Sequence, residues 1–120
     1  MRKIFILMLL IFLIPKVEAK HLNPESYYQT KWCEQNNGIT EYILPDKARI
    51  DCLTKEYAIE FDFATKWAEA IGQSMYYANV VNKKPAIVLI TKSNKDKKYI
   101  KRIKKANKDI KIFVIDELTF

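Results

Sequence analysis

Apolar and polar positions change period several times along the chain, and each change marks an element. Residues 26–35 place Tyr27, Tyr28 and Trp32 among polar neighbours and predict a first helix, closed by Asn36-Asn37-Gly38. Ile39–Leu44 reads as a strand and Pro45-Asp46-Lys47 as a turn. Ala48–Thr54 and Tyr57–Phe63 both alternate with period two, as half-buried strands do. Thr65 predicts the N-cap of a long helix reaching Val81. Pro85–Ile90 is a continuous apolar run, the pattern of a strand covered on both faces. Asn94–Asn107 predicts a basic amphipathic helix with Tyr99, Ile100, Ile103 and Ala106 inward, and Ile110–Ile115 a last strand. The predicted order is α-βββ-α-β-α-β, with no internal repeat and no linker: one compact α/β domain over residues 20–120.

The start of the chain follows a different pattern. Arg2 and Lys3 precede an apolar run from Ile4 to Ile14, and Val17 and Ala19 stand at −3 and −1 of a cut after Ala19. A charged start, a short apolar stretch and a small-residue cut predict a signal peptide over residues 1–19 and an exported protein, periplasmic or secreted. Eleven apolar residues are short for a bilayer, so a retained anchor is the lesser reading, and no membrane span is expected after cleavage.

Charge changes the picture further. Losing the leader lowers the net charge from +7 to +5, and residues 92–111 alone carry +8. A basic end on an acidic body suits an anionic partner, although a solvated lysine face has the same composition. Two Gly exclude a phosphate loop of the P-loop or dinucleotide type. One His and two Cys exclude zinc fingers and the two-His metalloprotease helix. In an oxidising compartment Cys33 and Cys52 are expected to form a disulfide between the first helix and the second strand; two buried thiols are the alternative. Chemistry is left to carboxylates, amines, amides and hydroxyls.

The middle strands supply the carboxylates. Folded as a hairpin about Lys55-Glu56, they oppose Cys52 to Ile59, Asp51 to Glu60 and Arg49 to Asp62. Asp51, Glu60 and Asp62 then share one face, while Ile50, Cys52, Ile59, Phe61 and Phe63 form the apolar one. Opposed like charges require a cation, an arginine or a raised pKa. Mg²⁺, held by two carboxylates plus water, is one answer; pairing of Asp62 with Arg49 is the other. On the following helix Lys66, Glu69, Gln73 and Tyr77 recur at spacings of three and four as one polar stripe. Gly72, costly inside a helix, predicts close approach of another backbone.

Taken together, Pro45-Asp46 through Asp51, Ile59-Glu60-Phe61-Asp62 and Gln73-Ser74-Met75-Tyr76-Tyr77 resemble the PD-(D/E)xK phosphodiesterase superfamily, over about residues 26–91. The resemblance implies a restriction-endonuclease-like domain, an α-βββ-α-β core here extended by a basic helix and a C-terminal strand. It implies Asp51 and Glu60 as ligands of Mg²⁺ or Mn²⁺ with the Phe61 carbonyl, and Glu41 or Glu34 as an additional acid. Gln73-x-x-x-Tyr77 is similar to the helix motif of the RecB-like exonuclease branch, where such residues orient substrate or water. Asp62 stands where the family's lysine falls; some members carry an acid there, and in others the lysine moves to the next helix, as Lys66 does here.

The implied activity is metal-dependent hydrolysis of phosphodiester bonds in DNA by an exported nuclease. Asp51, Glu60, Asp62, Lys66, Gln73 and Tyr77 form its catalytic set. Lys97, Lys98, Lys101, Arg102, Lys104 and Lys105 would track the nucleic-acid backbone without reading bases. The alternative is a catalytically degenerate binding or structural module on the same fold.

Overall fold

The computed structural model describes residues 20–120, so the leader predicted over residues 1–19 lies outside the described residues. The elements are α1 (Glu25–Gln35), β1 (Ile39–Ile43), β2 (Arg49–Leu53), β3 (Tyr57–Phe63), α2 (Trp67–Val81), β4 (Lys84–Thr91), α3 (Lys97–Ala106) and β5 (Lys111–Asp116). This is the predicted order. Short 3₁₀ turns at Ala64–Lys66 and Asn94–Asp96 lead into α2 and α3.

The strands form one sheet in the order β1-β2-β3-β4-β5. β1, β2 and β3 make an antiparallel meander, and β3, β4 and β5 are parallel. The two parallel crossovers step the same way across the sheet, so a common hand places α2 and α3 on one face. α1 covers the other face.

Packing follows the alternation of side chains. Ala86, Val88 and Ile90 of β4 join Tyr28, Trp32, Ile59 and Phe61 on the α1 side. Ile87 and Leu89 join Ala70 of α2 and Ile103 of α3 on the opposite side. β4 is therefore apolar throughout because both of its faces are covered, each large aliphatic side chain contributing about 1.5–3 kcal/mol of burial. A third cluster, Leu44, Ile50, Ala58, Tyr77 and Ala78, seals the meander under α2.

Two ties close the domain. Cys33 and Cys52 form the expected disulfide, linking α1 to β2 across a Cα separation of 5.8 Å. Glu117, buried just beyond β5, accepts from the Leu22 amide and the Tyr28 hydroxyl, each at 3.3 Å. Nδ1 of His21 lies 3.2 Å from both Glu117 carboxylate oxygens, and the His21 ring stacks on Phe63 at 3.4 Å. The first and last described segments thus meet beside α1. No helix among the described residues is long and apolar enough to cross a membrane.

Some local expectations are corrected. Thr65 does not cap α2: Ala64 is buried, the chain turns there as a 3₁₀ helix, and Lys66 occupies the position before α2 with no side-chain cap. Ala106 ends α3 exposed rather than inward, one turn beyond the buried Ile103. A Cβ built on Gly72 meets nothing within 4 Å, so no other backbone approaches it. At Gly38, in contrast, a Cβ would lie 2.4 Å from the Cys52 sulfur and 2.6 Å from that of Cys33.

Candidate active site

The site begins where β2 and β3 part. Their ladder pairs Leu53 with Ala58 and Cys52 with Ile59, the predicted register, and then stops. Beyond it, Asp51 Oδ2 accepts the Phe61 N–H at 2.8 Å, so a carboxylate replaces a strand carbonyl. The Asp51 carbonyl turns to α1 and accepts from Gln29 Nε2 at 2.9 Å. The same amide nitrogen donates to Glu41 Oε1 at 2.8 Å. Gln29, itself buried, thereby bridges β1 and β2 from the helix.

An unusual backbone residue lies at the same level of the sheet. Glu41, opposite Asp51 in the β1–β2 register, has φ of 54°, a left-handed conformation inside a strand. Such a residue costs on the order of 1–3 kcal/mol and bends the strand. Alternation fails at the same level. Ile50 and Leu53, three residues apart, pack in one cluster, while Cys52 packs in the other. The predicted opposition of Arg49 to Asp62 is therefore absent. Arg49 Nη1 instead lies 3.7 Å from Glu41 Oε2, an exposed pair.

Four carboxyls converge on the gap. Glu60 and Asp62 project from β3 and are only 4% and 6% exposed. Asp51 comes from β2 and Glu25 from the first turn of α1, both half-buried. Glu60 lies within hydrogen-bonding reach of Asp51, and Glu25 of Asp62. Two carboxyls can share a hydrogen bond only when one holds a proton. Burial is the largest cause raising all four pKa values, and neighbouring negative charge adds to it for each. Glu60 is pushed up to about 10 and Glu25 to about 8, while Asp51 and Asp62 rise to about 6. In neutral solution without a cation, each pair retains one proton.

The other predicted residues divide by position. Tyr77 of α2 is 9% exposed; burial, then the Glu60 and Asp51 charges, raise its hydroxyl pKa, so it lies within electrostatic range of the first pair. Lys66 is exposed, and its charge lowers the pKa of both Asp62 and Glu25, which places it by the second pair. Gln73 is exposed one turn before Tyr77 and makes no hydrogen bond to the four acids. Asp46 sits in the β1–β2 turn, where it accepts from the Ala48 amide and the Tyr76 hydroxyl. Glu34 is exposed elsewhere on α1, and Glu41 meets the site through Gln29. The helix acid that does reach the site is Glu25. Glu25, Gln29 and Cys33 recur every four residues and share one helix face, so a Cys33 bridged beside Asp51 was the signal pointing to both.

Lys97, Lys98, Lys101, Arg102, Lys104 and Lys105 are all exposed on α3. Arg102 stacks over Trp67 and Tyr99, at 5.6 and 5.3 Å, which brings the basic helix against the residue following Lys66. A cleft of about 600 Å³ opens at the C-terminal ends of β3 and β4, lined by His21, Phe63, Thr65, Lys66, Lys92 and Asp96. In open α/β sheets this end is where ligands bind.

The donor set fits a small hard cation in kind. It offers carboxylate oxygens, and because a strand residue's N–H and C=O share one edge, the Phe61 carbonyl also faces the opened side. Among the described residues no three His, Cys, Asp or Glu side chains form a ready-made metal cage. Mg²⁺ asks for less, one or two carboxylates with water and substrate oxygens. Set against protein-family models, curated proteins and solved structures, the chain matches none.

Proposed function

We propose that this protein is an exported, metal-dependent phosphodiesterase acting on DNA, a divergent domain of the PD-(D/E)xK kind with a restriction-endonuclease-like core. One observation carries the reading: two carboxyl pairs, each with one buried member, stand where β2 and β3 part, and each needs either a proton or a cation. The α-βββ-α-β order, with Asp51 and Glu60 on adjacent strands at the gap, supports the family assignment.

When bound, Mg²⁺ or Mn²⁺ supplies an acidified water and neutralises charge developing on the phosphoryl oxygens. The residues then take defined parts. Asp51 and Glu60 give carboxylate oxygens and Phe61 its carbonyl, while Asp62 and Glu25 share the second proton. Lys66, on the turn after β3, holds the scissile phosphate in place of the family's lysine at position 62. Tyr77 donates its hydroxyl over the first pair, and exposed Gln73 contacts flanking substrate. The six cations of α3 hold the backbone on either side.

Plasmid and single-stranded DNA, incubated with the protein and Mg²⁺ or Mn²⁺, test this directly. Metal-dependent cleavage should appear with the wild type and vanish in Glu60→Gln, with the fold retained by circular dichroism. A folded protein that never cleaves removes the enzyme. A second reading then stands on α3 alone: DNA binding that weakens steeply with salt, with no turnover, is the mark of a binding module.

A further inference from the structure

The bridge between Cys33 and Cys52 does more than join two elements, because of where each sulfur sits. Cys52 follows Asp51 directly, at the last ladder pair before β2 and β3 part. Cys33 lies one turn along α1 from Gln29 and two from Glu25. The bridge therefore fixes α1 in rotation and in height against the strand that carries Asp51. Everything α1 contributes to the site hangs from that anchor: the Gln29 amide that holds the Asp51 carbonyl and Glu41, and the Glu25 carboxyl paired with Asp62.

Tyr28 and Trp32 dock one edge of α1 in the core; the edge that carries Gln29 is held by the bridge. Gly38 crosses so closely above the cross-link that even a methyl group would overlap both sulfurs. Gln29 and Glu25, by contrast, bring polar atoms to the sheet, which gives them little apolar area with which to dock. Both sulfurs are wholly buried, so a reductant gains access only after α1 lifts.

We propose that the Cys33–Cys52 disulfide is a redox gate on the carboxylate site, leaving the α1 half of the site unassembled while the cysteines are thiols and locking it in place once they are oxidised. The inference rests on reading the acids as a metal-dependent site. Closure is a thiol–disulfide exchange: the two thiols give up two electrons and two protons to a disulfide oxidant, which leaves as two thiols, and one S–S bond forms as another breaks. Because the closed bridge is shielded, the gate works in one direction. A chain made in a reducing compartment carries an incomplete site, and export to an oxidising one completes it.

The test compares the full chain oxidised, the same chain reduced with a dithiol under mild denaturant and returned to buffer, and the double variant Cys33→Ala/Cys52→Ala. Hydrogen exchange reports on α1 without reference to any activity. Amides of Glu25–Gln35 should lose protection in the reduced and double-variant chains, while β3, β4 and β5 keep theirs. Mn²⁺ titration should show affinity falling about tenfold or more, the scale expected when supporting partners of metal ligands are removed. Gln29→Leu, with the bridge intact, should weaken Mn²⁺ binding while leaving α1 protected. Equal α1 protection in the oxidised and reduced chains would overturn the gate, as would protection lost over the whole sheet, which would make the bridge a general staple. Loss confined to α1 with no Mn²⁺ binding in any chain would uphold the control of α1 and overturn the metal-site reading instead.

Discussion

The two carboxyl pairs hold protons that isolated carboxylates would have released. Glu60 at about 10 and Glu25 at about 8 lie above the ordinary glutamate value of 4.5, with burial the main cause. Below about pH 4.5 these groups are protonated whether the chain is folded or not, and the stability they contribute is fully present. As pH rises towards 8 and beyond, the unfolded chain has already released protons that the folded site retains, so folding is progressively disfavoured. In the presence of a chelator, the melting temperature should fall between pH 5 and pH 9, and Glu60→Gln should flatten that slope. Added Mn²⁺ should raise the melting temperature more at pH 8 than at pH 5, because fewer protons must then be displaced. A wild-type profile as flat as that of Glu60→Gln would contradict the proton-sharing pairs. Residue type and spacing made Asp51, Glu60 and Asp62 legible in the sequence, since three acids on an apolar hairpin have no packing role. Glu25 was legible only through its spacing from Cys33, because its part depends on where a helix eleven residues long is anchored.

Among the elements, α2 combines one tightly used face with one that is free. Tyr77 and Ala78 pack on the meander and Ala70 beneath α3, while Gly72 points at open space. Glycine there loses helix propensity and gains no packing in exchange, so Gly72→Ala should raise stability by about 1 kcal/mol in urea denaturation. A decrease would mean that the position serves a bound partner rather than the fold. Strand register was legible for the same reason that the core was: a one-residue slip would turn Ile59 and Phe61 out of the α1 side. The break in that register was not. It coincides with a left-handed Glu41, a residue type with no special preference for that conformation, and with a side chain taking over the Phe61 amide. Arg49 followed from the same break, since a paired ladder would have carried it to Asp62.

For the molecule as a whole, charge is arranged by layer. The acids lie at the opened meander, and six cations lie exposed along α3 beyond Trp67. Replacing Lys101, Lys104 and Lys105 together with Gln should weaken DNA binding at low salt and reduce the slope of log affinity against log salt by about 3, close to one for each phosphate no longer neutralised. An unchanged slope would remove α3 as a nucleic-acid track. The fold tolerates such surface changes because α3 is held by Ile103 and its partly buried neighbours Tyr99 and Ile100, not by its lysines. The meeting of His21 and Glu117 has a different implication. With the first and last segments clasped against α1 and Phe63, the described chain forms a nearly closed circuit in space. Its starting point is then a matter of genetic order more than of architecture. A circular permutant joined from Phe120 to Lys20 through a short flexible linker, and opened at the exposed Lys108–Asp109 turn, would keep every strand neighbour and every residue of the site.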